Sequence, residues 1–134
     1  MIFTNKSQPH PIKATTTLTG SYVAGTVVSI DEQNAIGLDI IYTKGDETSV
    51  EIKVESSDDA GTTFYQQITQ STSGGTITIV PAIYQITAAS YPSGASNITY
   101  IVTPIKGDTV KVSVKATGGT PTGTYKIDAV TGWV

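Results

Sequence analysis

Short runs in which apolar and polar residues alternate recur along the chain, separated by glycine, proline and small polar residues. A period of two puts successive side chains on opposite faces of a pleated strand, and repeated short strands with turn chemistry between them point to a sandwich or barrel. The clearest run is residues 49–55, where Val50, Ile52 and Val54 fall on one face and Glu51, Lys53 and Glu55 on the other. Further runs cover 14–19, 26–30, 36–42, 63–68, 76–80, 83–87, 98–105, 110–115 and 124–130. The polar break Asp31-Glu32-Gln33-Asn34 has room for one helical turn, residues 71–75 read as a polar link, and residues 90–96 read as a surface loop. Apolar residues never recur at i, i+3, i+4 and i+7 across a window, so no helix of useful length is predicted. The pattern predicts an all-β chain, a single antiparallel β-sandwich of jelly-roll or Ig-like type with about eight to ten strands.

Ahead of the first run, Pro9-His10-Pro11 sits among polar residues, and each proline removes a ladder donor and holds its predecessor extended. Residues 1–12 therefore read as an extended N-terminal arm, with the sandwich occupying 13–134. Two stretches resemble each other: residues 42–54 and 103–114 each read as strand, Lys-Gly-Asp, strand, with the tripeptide at 44–46 and again at 106–108. Lys-Gly-Asp is good hairpin chemistry, because glycine takes the positive φ of a tight turn and the flanking charges keep the tip wet. The two stretches are either equivalent hairpins in two related halves or the same turn solution reached twice.

Composition narrows the function. At 134 residues the chain fits one domain. Only 14% of residues are charged, against about 25% in an average soluble domain, and the net charge of −3 offers no basic field for phosphates. No nucleic-acid partner is expected. There is no cysteine, hence no disulfide frame, thiolate nucleophile or Cys-based zinc site. The first residues lack the apolar core of a secretory signal, and no run of eighteen apolar residues occurs, so neither export by that route nor a membrane partner is expected.

The side chains that carry chemistry are sparse. His10 stands between two prolines, away from any visible base or metal partner, and reads as solvated. Asp58-Asp59 and Asp31-Glu32 are chain neighbours, which cannot face each other across a glycosidase cleft. Asp58 and Asp59 with nearby carbonyls could contribute to a calcium site, but a solvated turn is the plainer reading. No catalytic residue, metal or cofactor is expected. Among the aromatics, alternation turns one of Phe64 and Tyr65 inward, and Tyr91, in a loop beside Pro92, is the best exposed candidate. Tyr91, Asp58 and Asp59 thus stand as candidate loop contacts. Trp133 lies next to the last residue, where an indole either pins the final strand or meets another subunit. With the arm residues Ile2, Phe3, Pro9, His10 and Pro11 it forms the set of candidate subunit contacts.

With the strands placed, residues 36–65 (IGLDIIYTKGDETSVEIKVESSDDAGTTFY) resemble small β-sandwich structural proteins of tailed bacteriophages. The closing segment 111–133, with Gly118-Gly119-Thr120-Pro121-Thr122-Gly123-Thr124, has the same character, so the likeness spans roughly residues 22–134. The resemblance implies a non-enzymatic virion component, a capsid decoration or other accessory head protein, or one of the neck or tail, made in the host cytoplasm. It implies contacts with the major capsid protein and with copies of itself, a trimer being the first expectation, and the arm suits such assembly by adding strand contacts to a neighbour. A carbohydrate-binding or adhesion module is the rival from another class and requires an exposed aromatic row. A lyase or hydrolase on a sandwich would require converging acid, base and oxyanion groups.

Overall fold

The alternation at residues 49–55 becomes β5 (Ser49–Ser57), and its inward residues Val50, Ile52 and Val54 are all buried. The computed structural model describes residues 2–30 and 32–134. Around β5 lie β1 (His10–Thr17), β2 (Val23–Ala24), β3 (Val28–Ser29), β4 (Ala35–Thr43), β6 (Tyr65–Gln66), β7 (Ile68–Ser73), β8 (Thr76–Pro81), β9 (Tyr84–Thr87), β10 (Ser96–Pro104), β11 (Thr109–Thr117) and β12 (Thr124–Gly132). A single 3-10 turn, Ala88–Ser90, is the helical element among the described residues. One sheet runs β1-β12-β4-β10; the other runs β2-β11-β5-β6, with β3 also on β11 and β9 also on β5. Every pairing is antiparallel. The chain is an all-β sandwich, as the alternation predicts. Among the described residues three of the strands, β2, β3 and β6, are two residues long and too short to leave a pattern in the sequence.

Register explains the core. Opposite β4, the β12 residues Tyr125, Ile127 and Ala129 stand beside Tyr42, Ile40 and Leu38; opposite β5, the β11 residues Val112, Val114 and Ala116 stand beside Val54, Ile52 and Val50. All twelve side chains are buried, and they share one cluster with Ile12, Leu18, Ile30 and Ile36. Each aliphatic side chain so buried is worth about 1.5–3 kcal/mol. Among the described residues, no buried side-chain polar atom lacks a hydrogen-bond partner.

The two Lys-Gly-Asp segments are not hairpins. β4 and β5 lie in different sheets, as do β10 and β11, so each tripeptide is a corner at which the chain crosses the sandwich. The resulting arches pair with each other, β4 with β10 in one sheet and β5 with β11 in the other. At the first corner Glu47, 3% exposed, supplies what the ladder no longer can: its carboxylate accepts from the Tyr42 hydroxyl (2.7 Å), the Gly45 N–H (2.6 Å) and the Gly123 N–H (2.7 Å). At the second, the Asp108 N–H reaches the Ser57 carbonyl and the Asp108 carbonyl accepts from the Ile30 N–H.

The N-terminal segment also departs from expectation. His10, Pro11 and Ile12 belong to β1, and Ile12 is buried in the core. Residues 2–9 lie along the chain's own C-terminal strand: Thr4 and Trp133 exchange two backbone bonds of 2.8 Å, and the Ser7 N–H donates to the Thr131 carbonyl. Phe3 fills the hollow above Gly37 and Gly132, where an added β-carbon would stand 3.1 and 2.6 Å from its ring. Met1 and Asp31, and with Asp31 one partner of the Asp31-Glu32 pair, lie outside the described residues.

The two long sides of the sandwich differ. On the β1 side the sheets are tied together, the Thr26 N–H donating to the Ile12 carbonyl (2.8 Å) while Gly25 packs against Ile12. A β-carbon at Gly25 would overlap both the Ile12 side chain and its carbonyl. Gly25→Ala is therefore expected to destabilise the fold by about 1–3 kcal/mol in chemical denaturation. For Glu47, burial raises the carboxyl pKa, but the bonds from Tyr42, Gly45 and Gly123 outweigh it and hold the value below the ordinary 4.5. The carboxylate's contribution is thus present above about 4.5 and lost as pH falls through the lowered folded value. Glu47→Gln is expected to cost about 2 kcal/mol at neutral pH and to flatten the acid limb of the stability curve, measured by denaturant midpoints across pH.

Candidate functional site

The outer face of the β11–β5 sheet satisfies itself. Glu55 pairs with Lys53 (3.4 Å) and Lys111 (3.7 Å), and Glu51 pairs with Lys115 (3.4 Å). Lys53 and Lys115 lie over the Tyr22 ring at 4.6 and 4.9 Å, and Lys111 lies over Phe64 at 4.3 Å. The Tyr22 hydroxyl donates to Glu51 (3.0 Å); burial first, and that carboxylate second, push its pKa up to about 12. Phe64 is thus half-buried on this outer face under a lysine and Tyr65 is 63% exposed, so neither turns into the core as the alternation suggested.

The segment that builds the opposite side is uncharged. None of the 46 residues from 60 to 105 is Asp, Glu, Lys, Arg or His, where a stretch of that length at 14% charged would hold about six charges. These residues build β6 to β10, the side on which the sandwich stays open. Between β9 and β10 the two sheets part around a cleft of about 340 Å³, lined by Ile40, Ile52, Tyr84, Ile86, Thr99 and Ile101. Among the described residues β10 pairs only with β4, so apart from the Pro104 carbonyl, which accepts from Gln67, its other edge carries main-chain N–H and C=O groups without strand partners. No charge or bulge protects that edge, the usual means by which proteins blunt an exposed strand. On the outer face of β10, Ile98 and Tyr100 are 76% and 75% exposed.

From the Pro104 end of β10 a hairpin projects. β7 and β8 pair with each other and with no other strand, and all twelve of their residues are exposed. The tip is Gly74-Gly75 with φ of 56° and 81°, the two successive positive values of a two-residue turn that glycine takes without strain. The root is fastened: the Ala82 N–H donates to the Gln67 carbonyl (2.8 Å), the Gln67 N–H to Val54 (3.2 Å), and the Gln67 side-chain amide to Thr103 (2.8 Å) and Pro104 (3.0 Å). Register puts Ile68, Pro81, Ile79 and Ile77 on one face of the hairpin. Ile77 and Ile79 are both 60% exposed. A two-stranded hairpin on its own is marginal in water.

The residues singled out in the sequence are placed elsewhere. Tyr91 is half-buried, its ring edge-on to buried Tyr42 at 5.6 Å, so it is not the exposed aromatic. Asp59 binds its own loop, accepting from the Ser57 hydroxyl (2.6 Å) and the Thr62 and Thr63 N–H groups (3.1 and 2.8 Å). Those bonds, the Ser57 hydroxyl foremost, draw its pKa down to about 2. Asp58 pairs with Lys106. His10 and Trp133 border a shallow groove with Ser7, Glu32 and Gln33, and Ile2, Pro9 and Pro11 are exposed beside it, while Phe3 is held on its own sheet. The hairpin escaped notice because Ser71 to Gly75 looks like a polar link; the charge-free run was the signal that marks it. Compared with known proteins, the chain matches no family model and no curated sequence.

Because Ile77 and Ile79 touch nothing that stabilises the core, Ile77→Lys/Ile79→Lys is expected to leave the unfolding free energy within about 0.5 kcal/mol of wild type, measured in urea. A loss of several kcal/mol would mean that the hairpin packs on its own sandwich.

Proposed function

We propose that this chain is a non-enzymatic structural component of a tailed-phage virion, a capsid decoration or other accessory head protein that works through protein contacts. Its likeness to such proteins over residues 36–65 and 111–133 supports the reading, and so does the antiparallel sandwich architecture. The observation that carries it is the exposed apolar hairpin rooted on a sandwich in which, among the described residues, every buried side-chain polar atom has a hydrogen-bond partner. Interface cores are depleted of charge and rich in aliphatic and aromatic side chains, and the open side has that composition. The carboxylates with perturbed pKa values, Glu47 and Asp59, are occupied in holding a corner and a loop rather than aimed at a cleft.

The partners on this reading are the major capsid protein and further copies of the chain, with the particle as its location. A neck or tail site is the nearest variant. For glycan binding the exposed aromatics among the described residues are Tyr65, Tyr100 and Trp133, and the two tyrosines stand on strands of different sheets.

The test is immunogold electron microscopy of intact particles, paired with mass spectrometry of their proteins. Label over the head supports the decoration role, and label at neck or tail moves the site. Particles with neither label nor peptide contradict the proposal, and binding on a glycan array would then favour the rival.

A further inference from the structure

We infer that the β7–β8 hairpin of one copy docks along the free edge and outer face of β10 in a second copy, making a head-to-tail contact between identical chains. The inference rests on the reading that the chain acts through protein contacts, and it names the partner of that surface.

Both halves of the contact lie in the charge-free stretch. The donor is an uncharged hairpin, Ile68 to Pro81, with an apolar row and unpaired main-chain groups along its outer edges. The acceptor is an uncharged nine-residue edge strand with unpaired groups of its own, Ile98 and Tyr100 on its outer face, and a cleft at its Pro104 end lined by Tyr65, Gln66, Ile68, Pro104, Ile105 and Lys106. An extended segment added to such an edge gains main-chain hydrogen bonds along its length while side chains settle into adjoining hollows. The donor hairpin carries no charge, so seating it on β10 sets no like charges against each other, although Asp39 and Lys106 border the acceptor.

The exposed residues of the two halves that can face each other, Ile68, Ile77 and Ile79 on the hairpin and Ile98, Tyr100 and Tyr65 on the acceptor, present roughly 800 Å², about half of a standard interface of about 1,600 Å². The root bonds of Gln67 to Thr103 and Pro104 aim the hairpin away from its own body, where all its residues remain exposed, so its cover has to come from another molecule. Donor and acceptor are different surfaces, so the contact is heterologous and closes into a ring or continues as a filament.

Two variants separate the halves. In the first, residues 68–81 are replaced by Asn-Gly; the Ala82-to-Gln67 bond shows that the two ends already stand one turn apart. In the second, Ile98→Lys and Tyr100→Lys put charge on the acceptor strand. Light scattering behind size exclusion is expected to find wild type as a multimer, each variant alone as a folded monomer with wild-type melting, and an equimolar mixture of the two as a heterodimer. The mixture matters most, because it joins an intact edge to an intact hairpin. A monomeric wild type, a hairpin-less protein that still assembles, or two variants that fail to pair on mixing would each overturn the inference. Wild-type monomers that nevertheless decorate particles would overturn it alone and leave the proposed function standing, whereas multimers absent from particles would do the reverse.

Discussion

Two corners govern this molecule. At Lys44 to Glu47 and again at Lys106 to Asp108 the chain leaves one sheet for the other, and at such a point the main chain loses its ladder partners while still being covered. The groups set free must find replacements. At the first corner the replacement is a buried carboxylate that collects a hydroxyl and two N–H groups; at the second it is a set of carbonyl contacts that also tie in Ser57 and Ile30. Once the corners hold, the arches they form pair with each other in both sheets, and Val50, Ile52, Val54 and their β11 counterparts close the interior.

What the corners do not provide is closure on both sides. On the β1 side a backbone bond and the missing β-carbon of Gly25 bring the sheets together. On the β10 side Gln67 makes the tie, its N–H bonded to Val54 of one sheet and its side-chain amide to Thr103 and Pro104 of the other, and residues 60–105 carry no charge with which to face water. The hairpin emerges from this side, fixed at its root and uncovered along its length. On the proposed reading, a hydrogen-bonded root under an exposed apolar row suits docking, since less conformational entropy is left to lose.

Much of this was legible in residue pattern. The inward faces of β5, β11 and β12 follow directly from alternation, because side-chain period and burial coincide wherever a strand has one wet face. β4 is apolar at nearly every position and still reads as a strand. The corners were legible as turns but not as crossings, since Lys-Gly-Asp has the same local chemistry whether the next strand returns to its own sheet or enters the other. Phe3 and its glycine hollow depend on residues more than thirty positions apart, and no local signal joins them. Tyr91 misled because a loop position beside proline suggests exposure, whereas Tyr42 offers its ring a partner across the sandwich. The proposed contact surface is marked by the absence of charge over residues 60–105, a signal that periodicity does not register.

The most direct measurement is amide hydrogen exchange on the full chain, first dilute and then in its assembled form. The account expects residues 68–81 to exchange freely in the dilute chain and to gain protection on assembly together with the outward edge of β10, while β5, β11 and β12 stay protected throughout. A hairpin already protected in the dilute chain, or protection that appears on the charged face of β5 and β11 instead, would contradict it.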